Sequence, residues 1–272
     1  MNRFWGILFL LVPILGVGTC IMAAYNVWPL EGCWFPENYS RQGETIDFLS
    51  SAAHVLCGVI LLGTGFFLAW NLWSYSANRE GKATHIHHHR GLEITWSLIP
   101  AAILIILSLY QYQSWEDNRL QRPLTEVAGQ QVETPPLAKI YAKRFGWEMH
   151  YAGPDGILET ADDIYMENLL VVPSHTDVVL QLESYDVIHS FFVPKLRLKH
   201  DIIPSQTQFT WFHATQEETA DIYCAELCGW GHSLMRGQLV IKSPEDFKVW
   251  MDEQINSSRP SNLQLTAGGS DE

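Results

Sequence analysis

The sequence predicts membrane helices plus an all-β domain: N-terminal transmembrane helices, a hairpin preceded by a further span or signal peptide, then a β-sandwich or barrel. Three observations predict this class. Nearly all the long apolar runs lie before residue 115, whereas short β-branched and aromatic runs separated by turn residues follow residue 136. Residues 115–272 carry 24 Asp and Glu against 12 Lys and Arg, which is nearly the whole of the formal net charge of −13. The apolar content of 47% is ordinary for a globular chain and hides this division.

Residues 4–24, 50–73 and 95–112 are each close to the ~20 residues a bilayer core requires, and none contains Lys, Arg, Asp or Glu. Arg79, Lys82 and Arg90 lie between the second and third runs, so that link reads as cytoplasmic by the positive-inside rule. Residues 25–49 carry Glu31, Glu37, Glu44 and Asp47 with only Arg41, and read as an external loop. The hairpin of residues 50–114 then delivers everything after Gln113 to the outer face. For residues 1–24 the alternative to a first span is a signal peptide, because Arg3 precedes an apolar run ending in Ala23 and Ala24.

Residues 115–136 read as a polar, Pro-containing linker and residues 137–255 as the β domain. Strands are expected over residues 137–145, 166–172, 176–183, 206–213, 219–224 and 236–241. Val178, Leu180 and Leu182 alternate with Val179, Gln181 and Glu183, the pattern of a half-buried strand. Short strands at this spacing suggest a sandwich or barrel. A closing helix is marked by Ser243 as N-cap, Pro244 at the first helical position, and Glu245 and Asp246 in the first turn. Phe247, Trp250 and Met251 fall on its inner face. Residues 256–272 are polar and Gly/Ser-rich and read as a disordered tail.

The stretch CAELCGWGHSLM places Cys224, Glu226, Cys228, His232 and Met235 within twelve residues. Two thiols, an imidazole and a thioether are a soft-to-borderline ligand set that suits copper. A weak axial Met beside Cys and His marks electron-transfer copper, whereas structural zinc sites do not recruit Met. Two cysteines, where one blue copper needs a single thiolate, suggest bridging sulfurs and hence two ions. YDVIHSFFVP supplies a second imidazole, His189. The competing readings of the Cys pair are a disulfide and a zinc pair; neither accounts for Met235 or His189.

At these residues the chain resembles subunit II of the haem–copper cytochrome c oxidases. The family motif C-x-E-x-C-G-x-x-H-x-x-M is matched at every fixed position from Cys224 to Met235, and VIHSFFVPKLRLKHDIIP resembles its partner motif. The resemblance covers most of residues 40–255. It implies a cupredoxin-like Greek-key β-barrel holding a dinuclear copper A centre. Both sulfurs would bridge the pair; His189 and Met235 would complete one copper, His232 and the Glu226 carbonyl the other. The Glu226 side chain would turn towards a magnesium shared with oxidase subunit I.

Other positions take their roles from the same resemblance. Glu93, with Trp96 and Pro100, matches an E-x-x-W-x-x-x-P pattern at the cytoplasmic mouth of a proton-uptake route; by itself it is an interfacial carboxylate at a helix start. The family's aromatic cluster W-x-W-x-Y, whose first Trp receives electrons from cytochrome c, is represented by Phe145 and Trp147, with Tyr151 displaced. Phe145 thus replaces the usual receiving residue, and Trp147 is the candidate to take over its role. Lys199 and Asp201 match a K-x-D segment near the subunit I interface. The His-rich run of residues 85–89 and the acidic insert of residues 153–163 have no family role.

The function implied is that of subunit II of a terminal oxidase: it accepts electrons from a c-type cytochrome and passes them to the haem and copper of subunit I, where oxygen reduction drives proton pumping. The expected location is a bacterial-type inner membrane, with the copper domain on the periplasmic face. The partners are subunit I, the other oxidase subunits, the membrane and a basic cytochrome donor. The acidic balance argues against nucleic acid. The alternative is a membrane-anchored copper-delivery or assembly protein, which also carries C-x-x-x-C and a distant His but lacks the following H-x-x-M.

Overall fold

The computed structural model describes residues 2–75, 82, 87–119 and 121–258. Two compact units divide the chain: Met1–Glu37 with Ile46–Gln113, and Asn38–Thr45 with Ser114–Glu272. Most of the expected tail, Arg79 and residues 85–86 of the His run lie outside the described residues.

The first unit is built on three helices, α1 (Asn2–Ala24), α2 (Arg41–Ser74) and α3 (Arg90–Arg119). All three are long and apolar enough to cross a membrane. In α3 no residue is buried, so its Leu and Ile side chains face outward as a lipid-exposed helix requires. α1 packs on α2 at small residues. A Cβ on Gly6 would meet the Trp73 indole at 2.3 Å, and one on Gly65 would meet Pro13 at 2.5 Å. Phe48 of α2 faces Tyr110 of α3, with ring centroids 6.0 Å apart.

Both α2 and α3 run past the apolar stretches that announce them. α2 starts at Arg41, within the expected external loop, because Ser40 caps it: the Gly43 N–H donates to Ser40 Oγ at 3.0 Å, and Glu44 sits in the first turn. α3 continues through Glu116 and Asp117 to Arg119, within the expected linker. Charge marks where hydrocarbon ends, not where a helix must stop, because its backbone hydrogen bonds are internal in water as in lipid.

The second unit contains two five-stranded sheets with the all-β core between them. Strands β3 (Ala138–Lys143), β4 (Gly146–Tyr151), β5 (Ile164–Glu167), β7 (Asp177–Ser184) and β10 (Gln208–His213) form one, in the order β10-β7-β3-β4-β5. Strands β6 (Leu169–Pro173), β8 (His189–Val193), β9 (Leu198–Ile202), β11 (Thr219–Cys224) and β12 (Arg236–Lys242) form the other, in the order β6-β12-β11-β8-β9. Ile140, Trp147, Met149, Leu180 and Leu182 from the first meet Leu170, Phe191, Val193, Ile222 and Leu239 from the second. Each such side chain contributes roughly 1.5–3 kcal/mol by leaving water. Tyr151 ties the layers together: its hydroxyl donates to the Val171 carbonyl at 2.8 Å and accepts from the Val171 N–H at 2.7 Å.

The expected run 137–145 ends as β3 at Lys143, and the run 166–172 divides into β5 and β6, with Asn168 at φ 57° between them. β8 lacks a strand signal because it buries His189, Ser190 and Phe191 in succession and so shows no alternation, and β9 lacks one because Lys199, His200 and Asp201 occupy its centre. Residues 124–133 of the expected linker form a hairpin, β1 (Leu124–Val127) with β2 (Gln130–Glu133). Ala128 and Gly129, both at positive φ, make its turn. β2 is wholly exposed, so the hairpin has no apolar stripe that would betray it. The closing helix, α4 (Pro244–Ser258), starts as its sequence indicates: the Asp246 N–H donates to Ser243 Oγ at 3.0 Å. Trp250, Met251 and Ile255 pack on the core.

Candidate metal centre

Three backbone features bring the ligand residues together. His189 opens β8 and Cys224 closes β11; the two strands are antiparallel with Cys224 opposite Phe191, which sets the imidazole beside the thiol. The Ala225 N–H donates to the Ser190 carbonyl at 3.0 Å and continues that pairing into the loop. The loop then turns back, and the Cys224 N–H reaches the Met235 carbonyl at 3.3 Å just before β12. Gly229, at φ 141°, makes a reversal that residues with a Cβ rarely adopt.

Within this frame the donors converge. The Cys224 and Cys228 sulfurs are 3.9 Å apart and both thiols are free. That gap is far beyond the ~2.05 Å of a disulfide, and metal–sulfur bonds of ~2.3 Å can share an ion across it. His189 Nδ1 is 3.8 Å from Cys224 Sγ, and His232 Nδ1 is 3.7 Å from Cys228 Sγ. Met235 Sδ is 3.9 Å from Cys228 Sγ, and the Glu226 carbonyl oxygen is 3.2 Å from Cys224 Sγ. His189, Cys224, Cys228 and Met235 are buried, while the Glu226 side chain is exposed. Two sulfurs, each with its own imidazole, suit a pair of soft ions.

The electrostatics prepare the thiols unequally. Burial acts to raise the Cys224 thiol, but hydrogen bonds with His189 and with backbone at Ser190 and Glu226 prevail and lower it to about 6. Burial and the neighbouring Cys224 charge push Cys228 up to about 11. The pair thus favours one thiolate over two, and a bound cation would favour the second. Burial also disfavours charge on His189, but Cys224 and Asp186 together raise it above the ordinary imidazole value.

Asp186 is a residue of the candidate site that the sequence reading did not single out. Its Oδ1 accepts from His189 Nε2 at 2.8 Å, and its Oδ2 accepts from the Arg144 N–H at 2.9 Å and from Arg144 Nε at 3.0 Å. Burial works against its charge, but these hydrogen bonds and that of the Val187 N–H hold the carboxyl well below its usual range. With Nε2 engaged, Nδ1 is the nitrogen left to a metal. An acid three residues before a candidate histidine ligand was the available signal.

The aromatic candidates part company. Trp147 is 0% exposed, lies 6.3 Å ring to ring from His189 and packs edge-on against Phe191. It is a core residue next to a candidate ligand, with no exposed surface of its own. Phe145 packs against the ligand loop, where a Cβ on Gly231 would meet its ring at 2.7 Å, and faces Trp230 at 5.1 Å. Lys199 and Asp201 pair at 2.6 Å, and Ser190 Oγ donates to the same Asp201 oxygen at 2.7 Å, beside His189. Glu93 lies in the first turn of α3, where its carboxylate accepts from the His89 N–H at 3.3 Å while the Leu92 N–H donates to the His89 ring at 3.1 Å. His89 therefore caps this helix. In the acidic insert, Asp163 accepts from the backbone of Glu159 and Thr160, so it closes its own loop.

A β-sandwich that gathers two thiols, two imidazoles and a thioether, in a chain that also carries three helices apolar enough to cross a membrane, fits the class of membrane proteins with a metal-binding domain. Comparison with known proteins gives the particular family. Residues 28–113 match the family model "Cytochrome C oxidase subunit II, transmembrane domain", and residues 152–243 match "Cytochrome C oxidase subunit II, periplasmic domain". Cytochrome c oxidase subunit 2 of Thermostichus vulcanus is 29% identical over 251 residues, covering 79% of this chain and 76% of the relative. The alternative cytochrome c oxidase subunit 2 of Bradyrhizobium diazoefficiens is 22% identical over 272 residues, covering 90% and 91%. A crystal structure of the periplasmic domain of subunit II from Bradyrhizobium japonicum aligns with a TM-score of 0.40 at 24% identity, covering 47% of this chain and 99% of that one. The chain belongs to the cytochrome c oxidase subunit II family, whose members are components of an oxidoreductase complex, and its β domain is the two-sheet sandwich described above. The copper-delivery alternative is not favoured by these matches.

Proposed function

We propose that the chain holds a dinuclear copper centre for which Cys224 and Cys228 would supply shared thiolates. His189 and Met235 would serve one ion; His232 and the Glu226 carbonyl would serve the other. The observation that carries this reading is the pair of free sulfurs 3.9 Å apart, each with an imidazole Nδ1 within 3.8 Å. Copper so held exchanges single electrons. The chain's own residues shield it from water, fix His189 through Asp186 and supply one low-lying thiolate. A rigid sandwich serves this role because little has to move when the charge of the site changes.

The remaining assignments follow from family membership. Electrons come from a c-type cytochrome and pass to the haem and copper of subunit I. The exposed Glu226 side chain is free to meet a magnesium shared with that subunit. The three apolar helices span a bacterial inner membrane, with the β domain on the periplasmic side. Glu93, at the start of α3, serves proton uptake for the translocating complex.

Metal content of the full chain, purified in detergent and reconstituted with copper, tests the centre. Two ions per chain with an unpaired spin shared between them are expected. A single ion, or preferential retention of zinc, would reject the proposal.

A further inference from the structure

Trp230 is the largest and most exposed of three apolar side chains of the metal loop that the centre does not use, the others being Leu227 and Leu234. It lies between Cys228 and His232, two residues from each, and is 89% exposed, whereas Cys224, Cys228, His189 and Met235 are buried. An indole left in water forgoes a large burial free energy, and Trp is the residue type most enriched where protein contacts concentrate their binding energy. The residue is also well supported. Gly229 and Gly231 flank it, and Phe145 sits against both: a Cβ would meet the Phe145 ring at 3.2 Å from Gly229 and 2.7 Å from Gly231. Phe145 meets the indole edge to face, at 5.1 Å and 67°. The preceding residue, Arg144, is anchored to Asp186 and through it to His189.

We propose that Trp230 is the contact through which the electron donor reaches the centre, and that the donor is a c-type haem protein with basic side chains around an exposed haem edge. This rests on the electron-transfer reading above. Tunnelling weakens steeply with distance, so a donor must approach the loop that carries the ligands, and of its exposed side chains Leu227, Trp230 and Leu234 only Trp230 carries a π system for electronic overlap. The excess of 24 acidic over 12 basic residues after residue 114 favours a basic partner. Trp147, fully buried, offers no surface to it. One electron leaves the ferrous haem, which becomes ferric, and reduces the metal pair by one. No proton moves, and the indole is neither oxidised nor reduced; it supplies contact and electronic overlap.

The test uses the intact oxidase complex with Trp230→Ala and Trp230→Phe, a reduced basic c-type cytochrome as protein donor, and tetramethylphenylenediamine as a small donor. Trp230→Ala should slow oxidation of the cytochrome by about tenfold or more. Trp230→Phe should restore most of that rate, while copper content, copper spectrum and oxidation of the small donor stay unchanged. Equal cytochrome rates in Trp230→Ala and wild type would overturn the inference. Failure of Trp230→Ala to assemble with the other subunits would also overturn it, since a neighbouring subunit would then cover the indole. A wild-type complex that lacks the copper pair, or takes no electrons from the cytochrome, would instead sink the reading on which this one rests.

Discussion

Asp186 Oδ1 receives the Nε2–H of His189 at 2.8 Å, and the same carboxylate is gripped from its other oxygen by both the backbone and the side chain of Arg144. One acid thereby joins a buried imidazole, the β3–β4 turn and the floor beneath the ligand loop. Orientation of a ligand by such a partner commonly governs metal affinity as strongly as a weak ligand does.

Replacing Asp186 with Ala should weaken copper binding by about 10–100-fold and broaden the copper spectrum, because His189 becomes free to rotate. Asp186→Asn keeps an acceptor for Nε2–H but loses the charge, so an intermediate effect is expected. Competition titration against a copper chelator reads both. Equal affinity in all three proteins would show that β8 alone fixes the ring.

Cys228→Ser should abolish the two-copper spectrum, since a hydroxyl does not bridge soft ions as a thiolate does. Met235→Leu should leave both coppers bound and shift the reduction potential, because a thioether at the axial position tunes rather than holds the metal. Electron paramagnetic resonance together with redox titration separates the two outcomes.

Lys139 is buried on β3, bonded to Glu159 of the acidic insert and to Glu183 at 2.9 Å. Lys139→Met should lower stability by about 2 kcal/mol, less than the loss for a fully buried pair, because both carboxylates keep contact with water. Burial opposes the Lys139 charge, but its bonds to Glu159, Tyr141 and Glu183 raise its value above the usual lysine range. For Glu183, burial is outweighed by hydrogen bonds from Thr207 and Lys139, which lower its value. The Lys139 contribution is therefore complete below the unfolded lysine value of about 10.4 and fades as pH rises above it. That of Glu183 is complete above about 4.3 and fades as pH falls below it. Chemical unfolding of the full chain at pH 3, 7 and 11, followed by tryptophan fluorescence, should show the wild-type advantage over Lys139→Met greatest at pH 7.

Tyr151→Phe should cost about 2 kcal/mol, because it leaves the buried Val171 N–H and carbonyl without the hydroxyl that serves both. The copper spectrum should not change, since the bond lies between β4 and β6 and away from the ligand loop. A shift of the unfolding midpoint with an unaltered spectrum is the expected pair of results.

Local chemistry made the cluster of candidate donors, the long apolar helices and the closing helix legible in the sequence. Soft donors at C-x-E-x-C-G-x-x-H-x-x-M point to copper by type and spacing. Uninterrupted apolar runs mark helices long enough to cross a bilayer. Ser243 before Pro244, with two acids following, identifies a helix start. The β1–β2 hairpin, β4, β8 and β9 were not read as strands: an exposed hairpin has no apolar stripe, β8 is buried on both faces and has no alternation, and Lys199, His200 and Asp201 give β9 the polarity of a loop. Only the pairing of β8 with β11 put His189 beside Cys224, 35 residues away in the chain. The partners of Asp186, the burial of Trp147 and the exposure of Trp230 were likewise decided by the folded structure. Each depends on which segments meet across the sandwich, and residue type and spacing along one strand carry no record of that.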